Sequence, residues 1–65
     1  MKEFGLHFRY RDGRNELFDV GLVASAKSQK EAKAMGKNLE RPNDKVWFVG
    51  LIPAEVAKNT GGQLP

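Results

Sequence analysis

His7 is the single histidine in a chain of 65 residues that contains no cysteine. A transition-metal site draws three or four ligands from those residue types and carboxylates, so no metal centre is expected, and disulfides and thiol chemistry are excluded. The carboxylates Glu3, Asp12, Glu16, Asp19, Glu31, Glu40, Asp44 and Glu55 are scattered, and no pair has the spacing of an acid and a base working on one bond. Asp19 is a candidate to orient His7, but no nucleophile stands beside that histidine in any strand register the sequence supports. His7 reads as a surface histidine on a strand. Gly61–Gly62 is no phosphate loop, because no strand leads into it and no helix follows. Catalysis, a bound cofactor and a small-molecule substrate are therefore not expected.

The cations are arranged with more order. At about 100° per residue, Lys27, Lys30, Lys33, Lys37 and Arg41 fall on one stripe of a helix, with no carboxylate between them on that stripe. Such a stripe neutralises phosphates or docks on an acidic protein surface, by displacing the counterions that such partners hold. The plainer reading is a solvated helix face on which lysine favours helix formation and solubility.

A second set of candidate contacts lies on strands. Residues Glu3 to Arg11 alternate, with Phe4, Leu6, Phe8 and Tyr10 on one face and His7, Arg9 and Arg11 on the other. Phe18, Val20, Leu22 and Ala24 repeat the pattern after a turn. Both apolar sets carry even numbers, so facing residues must have numbers that sum to an even value. A two-residue Asp12–Gly13 loop breaks that rule. A three-residue Gly13–Arg14–Asn15 loop obeys it, pairs Asp12 with Glu16, and leaves Asn15 in the left-handed conformation that asparagine tolerates. Tyr10 then faces Phe18, Phe8 faces Val20, Leu6 faces Leu22 and Arg9 faces Asp19. An Asp12–Gly13–Arg14 loop is the alternative and faces His7 with Asp19.

The helix starts at Ser28, where Ser28-Gln29-Lys30-Glu31 fits a capping box. Ala32, Met35, Gly36 and Leu39 give it an apolar stripe. Pro42 disfavours helical geometry at Arg41 and ends it. A third strand, Lys45 to Ile52, is apolar on both sides: Val46, Phe48 and Ile52 on one, Trp47, Val49 and Leu51 on the other. Pro53 to Asn59 has the makings of a short C-terminal helical turn, with Pro53 first and Gly61 near its end.

These elements specify an α+β fold. Residues 1–60 form one ββαβ domain with a three-stranded sheet in order 2-1-3 and a helix on one face, and 61–65 form a flexible tail. The 40% hydrophobic and 29% charged composition is that of a globular chain, and the net charge of +3 suits an acidic partner without requiring one. No apolar run is long enough to cross a bilayer, and Met1-Lys2-Glu3-Phe4 enters the first strand at once, so a complete cytoplasmic protein without a membrane association is expected.

Two functional expectations follow. The first is a protein–protein interaction or regulatory module acting through the sheet face that the helix leaves bare, with Trp47 or Phe48 as anchor and Val49, Leu51, His7, Arg9, Arg11 and Leu17 around it. Its partner is another protein or a second copy of the chain. Pro53 to Asn59 folding back would cover this face instead. The second is a nucleic-acid binder using Lys27, Lys30, Lys33, Lys37 and Arg41, with Arg9 and Arg11 beside an aromatic as a stacking platform.

The order of hairpin, helix and strand over Phe4 to Ile52, in a cysteine-free chain of this length, resembles very short phage proteins that bind and disable host machinery, such as the inhibitors of host RNA polymerase in T7-type phages. The likeness lies in element order and in no residue motif. It implies a small protein that binds a larger one. Those inhibitors present an acidic surface, whereas this chain is basic.

Overall fold

The structure is a computed structural model that describes residues 1–59, so the tail expected at 61–65 and the stop expected at Gly61 lie outside the described residues. The order of elements is β1 (Lys2–Arg11), β2 (Leu17–Ala26), α1 (Gln29–Leu39), a 3₁₀ turn (Pro42–Asp44), β3 (Val46–Ile52) and α2 (Ala54–Asn59). The sheet order is β2-β1-β3, and β1 is antiparallel to both neighbours. This is the ββαβ topology that the alternation pattern and the capping box specify, with the short C-terminal helix in place.

The hairpin register follows from its loop. Asp12 N–H donates to Glu16 O at 3.0 Å, Asn15 N–H donates back to Asp12 O at 3.0 Å, and Asn15 sits at φ 66°. The Asp12 carboxylate also accepts from the backbone N–H groups of Arg14 and Glu16. Tyr10 accordingly faces Phe18, Phe8 faces Val20, Leu6 faces Leu22 and Arg9 faces Asp19.

The core lies between α1 and the even-numbered face of the hairpin. Leu6, Phe8, Ala26 and Ala32 are buried, and Phe4, Val20, Ala24, Met35, Val46, Phe48 and Leu51 pack around them. Fully burying a leucine or phenylalanine contributes about 1.5–3 kcal/mol, so a few such side chains carry much of the stability of a chain this short. Helix α1 starts as expected: Ser28 Oγ accepts from Glu31 N–H at 3.2 Å. The returning bond of the box goes one residue further back, from Lys27 N–H to Glu31 Oε1 at 3.2 Å, rather than from Ser28 itself.

Strand β3 departs from simple alternation. Phe8 pairs with Phe48 and His7 with Gly50, so Val49 is an extra residue in a β-bulge. The bulge advances the count by one, so Leu51 follows Phe48 onto the α1 face while Ile52 turns to the opposite one. The two-sided expectation is corrected: Val46, Phe48 and Leu51 share the α1 face, and Trp47 and Ile52 lie on the other.

Helix α2 packs on β1 and β2 on the face opposite α1. A Cβ at Gly21 would stand 3.1 Å from Ala57 Cα, so the bare α-carbon of Gly21 lets the helix approach. Lys58 Nζ, bonded to Glu3 Oε1 at 2.7 Å, ties the helix to β1. That bond with Glu3 raises the Lys58 pKa above its ordinary value. The sheet face expected to be bare is thus covered at its Gly5–Gly21 end and open at its hairpin-loop end.

Candidate interaction surfaces

The open half of the sheet face carries a row across all three strands: Asp19 on β2, Arg9 on β1 and Trp47 on β3. Arg11 and Leu17 form the next row toward the loop. Asp19 Oδ1 accepts from Arg9 Nε and from His7 Nε2, each at 3.0 Å, which assigns the Nε2–H tautomer to His7. The Arg9 guanidinium, and after it His7, hold the Asp19 carboxyl below its ordinary pKa, against a smaller opposing effect of desolvation. Asp19 therefore stays ionised and fixes the Arg9 guanidinium and the His7 imidazole on the sheet face that carries Trp47. The cluster brings together one aromatic and two arginines, residue types enriched among binding hot spots, with an exposed leucine beside them.

Five of the eight residues expected on this surface are brought together there: His7, Arg9, Arg11, Leu17 and Trp47. The other three are not. Phe48 and Leu51 lie under α1, and the Phe48 ring stands 5.5 Å from that of Phe8. Val49 projects from the bulge at the outer edge of β3 and is half exposed. The signal that would have found this is weak, since every residue of β3 except Gly50 is apolar and the pattern marks no inside.

The cationic stripe keeps four of its five members. Lys27, Lys30, Lys33 and Lys37 are exposed, and none of their ammonium groups takes part in an ion pair among the described residues. Glu31 and Glu40, the acids of this helix and its cap, are spent on backbone N–H groups of Lys27 and Phe48. Lys33 and Lys37 line an open groove of about 540 Å³ between α1 and the β3 bulge, together with Gln29, Val49 and Gly50. Arg41 leaves the stripe. Its Nη1 donates to Asn38 O at 3.0 Å and Glu40 O at 2.8 Å, so it caps the free carbonyls at the end of α1.

A third surface was not anticipated. Leu22 and Leu39 are each 45% exposed beside an apolar groove of about 190 Å³, which they line with Phe8, Val20 and Val46. The signal was present in element lengths. An eleven-residue helix reaches about 16 Å, whereas a ten-residue hairpin strand runs about 33 Å, so α1 cannot cover the full apolar face of β2.

Among the described residues, no group of three histidines, cysteines or carboxylates gathers to hold a metal ion, and no helix is long and apolar enough to cross a membrane. No family model matches the chain, and comparison with curated proteins and with solved structures gives no match. The resemblance to short phage inhibitors therefore rests on element order alone.

Proposed function

We propose that this chain is a small non-catalytic binding module that recognises another protein through the open half of its sheet face. The observation that carries this reading is the Asp19–Arg9–Trp47 row, with Arg11 and Leu17 next to it, held by paired hydrogen bonds on a face that α2 covers only at the other end. The element order shared with short phage inhibitors supports the same idea of a small chain acting on a larger one. Capture of one protein from host lysate in the presence of nuclease, lost on Trp47→Ala, is the expected result. The loss should reach about 2 kcal/mol, or some thirtyfold in affinity, as for an aromatic hot spot. Capture that survives both Trp47→Ala and Arg9→Ala overturns the reading.

A second reading is supported by the unpaired ammonium groups of Lys27, Lys30, Lys33 and Lys37, which would engage phosphates of a nucleic acid. Its affinity for mixed oligonucleotides would fall with salt, with a log–log slope of about −0.7 to −0.9 per phosphate contacted. A flat titration at low salt removes it.

A further inference from the structure

The two outer edges of the sheet are treated differently. At β3, Arg41 and Val46 exchange backbone hydrogen bonds of 3.0 Å, the Glu40 carboxylate accepts from Phe48 N–H at 3.0 Å, and the Val49 bulge disrupts the remainder. These are the devices by which proteins prevent strand addition. Strand β2 is ten residues long, pairs with β1 without a register break, and carries one charge, Asp19. Among the described residues nothing covers its outer edge. Leu22 and Val23 on that strand are 45% and 38% exposed, and Leu39 beside Leu22 is equally exposed.

The direction of its backbone groups is fixed by the loop. Asp12 N–H bonds to Glu16 O, so by antiparallel alternation the even-numbered residues of β2 bond to β1, and Leu17, Asp19, Gly21, Val23 and Ser25 point outward. A copy of β2 running antiparallel about Gly21 pairs all five with one another: Gly21 with its own copy, Asp19 with Val23, Leu17 with Ser25. Val20 then meets Leu22 of the copy twice over on the α1 face. An axis at Val20 or Leu22 leaves outward residues unpaired within the strand.

Charge and bulk allow this approach. Lys33 and Lys37 flank β3, and across the joined sheet the two β3 strands lie five strand spacings apart, about 24 Å, well beyond the screening length of about 8–10 Å. Two copies of a cationic chain thus meet through edges whose single charge, Asp19, is paired with Arg9 of its own chain. Helix α2 rests over β1 and β2 jointly, so its copy lies about two strand spacings away, 9–10 Å, a distance at which helices pack.

We propose that β2 pairs antiparallel with β2 of a second copy of this chain, about a twofold axis at Gly21, to make one six-stranded sheet. The register gives a charge test, because Val23 faces Asp19 of the copy at two symmetric places. Val23→Asp sets like charges against each other and should weaken the dimer at least about tenfold, while Val23→Lys should preserve it. Sedimentation of the full chain should give twice 7.3 kDa for the native chain and for Val23→Lys, and 7.3 kDa for Val23→Asp. Circular dichroism checks that each variant is folded. Amide exchange supplies a second readout: the N–H groups of Asp19, Gly21 and Val23 should be protected in the native chain and should exchange freely in Val23→Asp. A native chain that stays monomeric to about 1 mM with those amides unprotected overturns the proposal. Equal dissociation by both variants overturns it too, because the register is then wrong.

Discussion

Gly36 of α1 rests directly on the ring of Phe48 in β3, and a Cβ at that position would stand 2.5 Å from Cδ1 of the ring. The contact joins the helix to the strand that follows it in the chain, across the 3₁₀ turn. Glycine inside a helix ordinarily costs about 1 kcal/mol relative to alanine. Here the cost is offset by a separation that alanine does not allow. Gly36→Ala gains the propensity term but forces a rigid aromatic ring, itself packed on Phe8, to shift; overpacking of this kind costs about 1–3 kcal/mol. The expected result is a net loss of stability, read as a lower urea midpoint with an unchanged slope. A rise in midpoint would show that the ring moves freely.

Asp19 gives the domain an acid-sensitive contribution. Its pKa in the folded chain is lowered by the hydrogen bonds from Arg9 and His7, below the value of 3.8 that an unperturbed aspartate has. A group with a depressed folded pKa stabilises above its unfolded value and loses that contribution as pH falls through the folded one. The native chain should therefore lose stability as pH drops below about 4, and Asp19→Asn should flatten this part of the profile. Urea midpoints between roughly pH 2 and 6 read both curves. Parallel curves for the two chains would mean that Asp19 does not report on folding.

Among the described residues, two that are not glycine occupy left-handed backbone, Asn15 at φ 66° and Lys45 at φ 61°. Asparagine tolerates that region, so Asn15→Gly should be close to neutral and Asn15→Ala should cost about 1 kcal/mol. Lys45 has no such tolerance. It ends the 3₁₀ turn through its N–H bond to Pro42 O at 3.0 Å. Lys45→Gly relieves about 1–2 kcal/mol of strain against a glycine entropy cost of about 0.5–1, so a small net gain in thermal midpoint is expected.

The difference between these two sites shows what the sequence makes legible. Asn15 was placed because a turn residue and the even-number rule of two alternating strands agree on one loop. Lys45 reads in the sequence as the first residue of the third strand, but the strand starts at Val46, and the return path from α1 to β3 holds Lys45 in left-handed backbone as the cap of the 3₁₀ turn. The same holds for the surfaces. Arg9 opposite Asp19 followed from the hairpin register, and the four lysines followed from helical angle. Capture of Arg41 by its own helix end, and the seat of α2 over Gly21, depend on where the chain goes next in space. Pattern does not carry that information. In β3 the pattern itself misleads, because a period of two holds only until a residue is inserted.

That insertion makes a prediction of its own. Val49 has no partner on β1: Phe48 pairs with Phe8, and Gly50 with His7. If Val49 is the extra residue of a bulge, removing it leaves Phe48 and Leu51 on the α1 face and Gly50 and Ile52 on the other, in an unbroken ladder. A chain lacking Val49 should therefore fold with nearly unchanged stability, since a half-exposed side chain buries little apolar area. Deleting Trp47, two residues earlier in the regular part of the strand, shifts every following or preceding side chain by one place. Either Val46 or Phe48 then leaves the core, and replacing a buried side chain's contacts with water costs about 2–5 kcal/mol, enough to unfold a domain this small. Circular dichroism and urea melts of the two deletions separate the outcomes. Unfolding of both chains would show that the bulge is required for the path from α1 to α2, and that the face assignment of Leu51 depends on more than its place in the count.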